Sequence, residues 1–130
     1  YACCIYATCP LLDAKFLKQG FKIIETQNIK SVFSVTNFEF PIFRGLKIVD
    51  ESKASILWPK NNNVRSQDLP EAYHDAGQFY WLNNDIFLKE KIIFTNNSKA
   101  VIIPRHLVQD IDTIEDWKIA LSLYQLKLKS

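Results

Sequence analysis

Methionine is absent from this 130-residue chain, and glycine occurs only three times. The first absence leaves Tyr1 inside an apolar run with no initiator before it, so the sequence reads as part of a longer polypeptide. The second excludes a glycine-rich phosphate loop from these residues, because such loops need glycines to bring backbone N–H groups against a phosphate. Cysteine is confined to Cys3, Cys4 and Cys9, and no later cysteine exists to staple the fold. These read as reduced, buried thiols in a reducing compartment, and they lack the spacing and His partners of a zinc site. Charge of one sign is also missing. Sixteen basic residues against 14 acidic ones leave +2, too little to argue for nucleic acid or an anionic membrane surface. The basic run Lys127-Leu128-Lys129-Ser130 is what a helix C-terminus attracts. No apolar stretch reaches membrane-span length and no signal peptide is seen, so the expected location is the cytoplasm.

What is present is enough apolar material for one real core. Hydrophobic residues make up 48% and charged ones 23%, an ordinary balance for a globular domain. Tyr1-Ala2-Cys3-Cys4-Ile5-Tyr6 reads as a central parallel strand, broken by Ala7-Thr8-Cys9-Pro10. Asp13 is a good N-cap for a helix burying Phe16, Leu17, Phe21 and Ile24. Ser31–Val35 is a second strand, so the opening predicts a β-α-β crossover between parallel strands. Phe43–Val49 and Ala54–Trp58 then predict a hairpin turning at Asp50-Glu51-Ser52-Lys53, with a loop tip at Asn61-Asn62-Asn63. Gly77–Leu82 returns as a strand, Asp85–Lys91 as a short helix and Ala100–Ile103 as a strand. The last helix opens on a capping box, Thr113 with Asp116, and carries Ile114, Trp117, Leu121, Tyr124 and Leu128 on one face. The class is α/β, three-layered, with a β-hairpin arm. That arm carries Phe38, Phe40, Phe43, Leu46, Ile48, Ile56, Leu57 and Trp58, too apolar to stand free, and predicts packing against a second subunit.

Two segments carry candidate chemistry. Asp110 and Asp112 have extended-chain spacing, which places both carboxylates on one side, an arrangement suited to Mg²⁺. Locally, Asp112 could equally serve the positive end of the following helix. In the polar run Arg65 to Trp81, Arg65 and Gln67 project together if the chain is extended, and Arg offers a fork for a carboxylate. The alternative there is a surface ion pair with Asp68 or Glu71. Arg44 and Lys47, in the first hairpin strand, could supply positive charge to a substrate or guard an exposed edge. His74, between Tyr73 and Asp75, fits a hydrogen-bonding or structural role better than that of a base. Phe79, Tyr80 and Trp81 alternate across a strand and require cover on both faces. No Ser-His-Asp or Cys-His set can be assembled.

Tyr6-Ala7-Thr8-Cys9-Pro10, Phe40 to Ile48, Arg65 to Trp81 and Asp110 to Trp117 together resemble the acylneuraminate cytidylyltransferases, most closely those acting on pseudaminic acid. The likeness covers nearly the whole chain and is most specific in the last two segments. It implies a nucleotide-diphospho-sugar transferase-like α/β/α sheet, with residues 1–130 forming the C-terminal portion of one domain and 38–75 a dimerisation insertion. It also implies a homodimer that couples CTP to a nonulosonic acid, giving CMP-sugar and pyrophosphate for cell-surface or flagellar glycans. On that resemblance Asp110 and Asp112 match the catalytic Mg²⁺-binding pair, and Arg65 matches an arginine of the sugar-carboxylate site. Tyr6 and Thr8 fall on the segment lining the sugar pocket; Arg44, Gln67, Tyr73, His74 and Gln78 are further substrate-binding candidates. Asp75-Ala76-Gly77-Gln78 stands where sialic acid members read Asn-Gly-Ala, which favours the pseudaminic acid branch over sialic or legionaminic acid. The family's N-terminal CTP loop is expected to lie outside these residues, so the 130 residues alone are expected to be inactive. A truncated, non-catalytic dimerisation module is the reading from another class.

Overall fold

The computed structural model describes residues 1–129; Ser130, the end of the basic run, lies outside them. By its internal contacts the chain divides into two compact units, Tyr1–Thr36 with Asp75 onward, and Asn37–His74.

The first unit is built on a four-stranded sheet in the order β1-β5-β2-β6. Its strands are β1 (Ala2–Ile5), β2 (Ser31–Asn37), β5 (Tyr73–Leu82) and β6 (Ser98–Ile102). β2 pairs parallel with β6, Phe33 opposite Ala100, whereas β1 pairs antiparallel with β5, Cys4 opposite Tyr80. The sheet is therefore mixed, and the α/β class holds. The expected parallel pairing of β1 with β2 does not. β5 lies between them, and β1 is the outer strand of the described sheet, with Ile5 exposed. A short apolar run shows that a strand wants burial, but not which strand will sit beside it.

Nor are the cysteines buried as expected: on and after this outer strand Cys4 is exposed and Cys3 and Cys9 are half-buried. Elsewhere burial follows the sequence pattern more faithfully. Phe16, Ile24, Ile29, Val32, Phe79, Val101, Ile103 and Leu107 form one core cluster. Each large apolar side chain so buried stabilises by about 1.5–3 kcal/mol. Helix α1 (Ala14–Thr26) is capped as expected, the Asp13 side chain accepting from the Lys15 N–H at 2.9 Å. Its contact with β5 is close because Gly20 has no side chain. A Cβ there would stand 2.8 Å from Trp81 Cδ1 and 3.0 Å from Phe79 Cε2. Trp81 Nε1 donates to the Leu17 carbonyl at 3.0 Å, and its ring packs on Phe21 at 5.0 Å between centroids.

Helix α2 (Asn84–Glu90) ends on Lys91 in the left-handed region, φ 52°. Helix α3 (Ile114–Lys129) opens on the predicted capping box. Thr113 N–H donates to Asp116 Oδ2 at 2.9 Å, and Asp116 N–H donates to Thr113 Oγ1 at 3.2 Å. Trp117, Leu121 and Tyr124 line a groove of about 190 Å³ with Pro10 and Ile111.

The second unit holds the hairpin β3 (Leu46–Asp50) and β4 (Lys53–Ile56), antiparallel, with Leu46 opposite Ile56. The first strand starts later than expected, because Ile42–Arg44 is a 3₁₀ turn following Pro41. Arg44 is thus not a strand residue. Phe43 and Trp58 meet edge to face at 5.6 Å beneath the hairpin. Leu46, Ile48, Val49, Leu57 and Phe40 are exposed.

Candidate functional site

In the first unit the candidates Tyr6, Gln78 and Asp110 meet around one irregularity in β5. Gly77 has φ 62°, a conformation that costs a side-chain-bearing residue. Its N–H donates to Asp75 Oδ1 at 2.9 Å, a turn closed by the side chain. The next two amides share one side-chain acceptor. Gln78 N–H and Phe79 N–H both donate to the Ser34 hydroxyl, each at 3.2 Å. At Gly77, Asp110 Oδ2 stands 4.0 Å from where a Cβ would be.

Three groups around this kink escaped the sequence reading. Tyr80 is buried and donates to Asp75 Oδ2 at 2.5 Å, with the Tyr6 ring 5.4 Å from its own. Burial, aided by the Asp75 carboxylate, pushes the Tyr80 phenol well above its usual range, so it remains a donor. Cys9 lies in the same place, its Sγ 2.7 Å from the Tyr6 carbonyl. Burial pushes the Cys9 thiol up, and the charge of Asp110 adds to the effect. The Asp75-Ala76-Gly77 run was the available signal for the clamp; Ser34 left no local trace, since its role depends on a strand distant in sequence.

Tyr6 is half exposed, and its N–H donates to the Gln78 carbonyl at 3.1 Å. Thr8 sits half-buried in the turn after β1. Gln78 is not a surface pocket residue: it is 1% exposed, and its Nε2 donates to the Leu107 carbonyl at 2.6 Å. Asp110 and Asp112 are both exposed. Asp110 Oδ1 accepts from the Ile111 N–H at 3.0 Å, and Asp112 contributes its N–H, at 3.3 Å, to Asp116 Oδ2. No ion pair among the described residues takes up either carboxylate. No group of three metal-ligating side chains occurs among the described residues. Two exposed carboxylates nevertheless fit Mg²⁺, which commonly takes one or two and fills the rest of its shell with water and phosphate oxygens.

In the second unit the candidates do not form the expected pair. Ser66–Asp68 is a 3₁₀ turn, so Arg65 and Gln67 lack extended spacing. Arg65 Nε instead holds Asp68 Oδ2 at 2.8 Å, the surface ion pair that was the alternative reading. Arg44 donates to the Asn62 carbonyl at 2.9 Å and to that of Val64, fastening the loop after β4. Lys47 lies on β3 and is exposed. Tyr73 donates to Glu71 Oε2 at 2.8 Å, a bond that raises the Tyr73 phenol above its usual value. His74 stacks on Phe38 at 4.9 Å, consistent with a structural role.

No family model matches the chain. It is 42% identical, over its whole length, to 56% of the pseudaminic acid cytidylyltransferase of Campylobacter jejuni. It is 32% identical over 95% of its length to 24% of a Helicobacter pylori protein. That protein is named pseudaminic acid cytidylyltransferase and UDP-2,4-diacetamido-2,4,6-trideoxy-beta-L-altropyranose hydrolase. It is 24% identical over 87% of its length to 27% of the N-acylneuraminate cytidylyltransferase of Streptococcus agalactiae. The chain is thus similar in sequence to acylneuraminate cytidylyltransferases, the resemblance its motifs carry. Among these proteins the similarity is stronger to the pseudaminic acid cytidylyltransferases, and the chain spans about half the length (56%) of the Campylobacter protein.

Proposed function

We propose that the polypeptide carrying this chain couples CTP to pseudaminic acid, giving the CMP-sugar and pyrophosphate for cell-surface or flagellar glycans. The observation that carries this reading is the 42% identity, over the whole chain, to a pseudaminic acid cytidylyltransferase. The lower similarity to an N-acylneuraminate cytidylyltransferase, 24%, favours pseudaminic over sialic acid. In the reaction the anomeric hydroxyl attacks the α-phosphorus of CTP. A carbon–oxygen–phosphorus link forms, the bond to the β-phosphate breaks, pyrophosphate leaves and the hydroxyl proton passes to solvent.

Asp110 and Asp112 would hold Mg²⁺, which supplies positive charge against the phosphate oxygens. The rest is positioning. The Asp110 carboxylate is exposed beside Gly77, Tyr6 reaches β5 through the Gln78 carbonyl, and Thr8 would line the pocket from the turn after β1. Arg65 would grip the sugar carboxylate after exchanging Asp68 for it, an inexpensive exchange because an exposed ion pair contributes little. We further read the fold as a three-layer nucleotide-diphospho-sugar transferase-like sheet. Its arm, residues 38–75, makes a homodimer through the exposed Leu46, Ile48 and Leu57. No helix among the described residues is long and apolar enough to cross a membrane, and cytoplasmic action fits the use of CTP.

The test is pyrophosphate release by the polypeptide with CTP, Mg²⁺ and each of pseudaminic, legionaminic and sialic acid. Release with pseudaminic acid, and a CMP-linked product by mass, is expected. Release only with another nonulosonic acid would reassign the substrate; release with none would overturn the enzyme reading.

A further inference from the structure

We propose that Gln78 is a positioning residue for Asp110, tying the acidic loop to β5 from inside the core. The inference rests on Asp110 being a metal-binding carboxylate. Gln78 Nε2 donates to the Leu107 carbonyl at 2.6 Å, and Leu107 is itself buried in the core cluster. From there the chain runs through Val108 and Gln109 to Asp110, whose Oδ2 stands 4.0 Å from where a Cβ on Gly77 would be. β5 therefore comes near the acidic loop at two adjacent residues. One is a carboxamide that fixes where the loop leaves the core, the other a glycine whose left-handed backbone, φ 62°, shapes the strand beside the carboxylate.

Stability alone does not account for a glutamine here. Its Oε1 is buried without a hydrogen-bond partner among the described residues. Burying such an acceptor opposes folding, and an apolar residue of similar volume would avoid the loss. What the amide adds is the bond to Leu107. Its aim is also built in: Asp75 and the Ser34 hydroxyl take up the amides of Gly77, Gln78 and Phe79, and so fix the backbone from which the side chain departs. Partners that orient a ligand from behind govern metal affinity, and removing one weakens binding by about 10–100-fold.

The experiment measures Mn²⁺ affinity of the polypeptide by electron paramagnetic resonance, for the wild type, Asp110→Asn and Gln78→Met, beside thermal unfolding and amide exchange. Gln78→Met preserves volume and removes only the polar pair. It is expected to retain the fold, to weaken Mn²⁺ at least about tenfold and to speed exchange at residues 107–110 but not in β2 or β6. Mn²⁺ bound by the wild type, lost in Asp110→Asn and unchanged in Gln78→Met would overturn the positioning role. Affinity unchanged in Asp110→Asn would overturn the metal reading and this inference with it. If Gln78→Met does not fold, nuclear magnetic resonance of the wild type decides. Mg²⁺ should shift the Gln78 side-chain amide and slow its exchange; a response at Asp110 with none at Gln78 would refute the coupling.

Discussion

Gly20 and Gly77 are both needed, for different reasons. At Gly20 the obstacle is space, since any side chain on that face of α1 meets the Trp81 and Phe79 rings. Gly20→Ala should destabilise the chain by roughly 1–3 kcal/mol through overpacking, read from the urea midpoint. At Gly77 the obstacle is the backbone. Gly77→Ala should cost about 1–2 kcal/mol for the left-handed conformation and, on the proposed reading, also weaken Mn²⁺ binding. Legibility at this scale was uneven. Asp13, Phe16, Ile24 and Phe79 declared themselves because their roles are local or periodic. Arg65 stood between two readings, and the ion pair with Asp68 was one of them; what the sequence did not mark was the 3₁₀ turn at Ser66, which removes the extended spacing of Arg65 and Gln67.

Among the elements, α3 makes the sharpest prediction. Asp116 accepts from the Thr113 hydroxyl at 2.7 Å, which with the Thr113 and Asp112 amides holds its carboxyl below the usual carboxylate range. A carboxyl depressed in the folded chain contributes stability at pH above its unfolded value, near 3.9, and loses it as pH falls through the folded value. The helicity of α3 should therefore decline in acid, and Asp116→Asn should remove that dependence; circular dichroism from pH 6 to pH 2, the span around carboxylate titration, measures it. Thr113→Ala should cost about 1 kcal/mol at neutral pH by loss of the cap. The starts of α1 and α3 were legible because their caps, Asp13 and Thr113 with Asp116, are side chains written in the sequence. The place of β1 was not. Its partner, β5, arrives from the far half of the chain, and nothing within Tyr1–Tyr6 encodes that meeting.

For the molecule as a whole, the exposed apolar residues of the hairpin carry the prediction. Leu46 and Ile48 are 59% and 67% exposed on β3, where an unpaired strand edge invites association. Ile48→Lys should shift the polypeptide from dimer to monomer in sedimentation velocity while leaving its circular dichroism unchanged. A wild type that is monomeric at all accessible concentrations would remove the dimer reading. The apolar richness of residues 38–58 was plain from the sequence, and the resemblance implied an insertion at 38–75; the internal contacts gather Asn37–His74 into a unit of its own.

The three tryptophans fall, one each, in settings that differ optically. Trp58 packs on Phe43 in the hairpin unit, Trp81 on β5 packs against α1, and Trp117 stands 57% exposed on α3. Intrinsic emission is therefore a sum of three labelled regions. Replacing two of the three by phenylalanine in turn isolates each region without an added dye. Coincident denaturation curves from the Trp58 and Trp81 reporters would identify one cooperative unit, and separated curves would identify two.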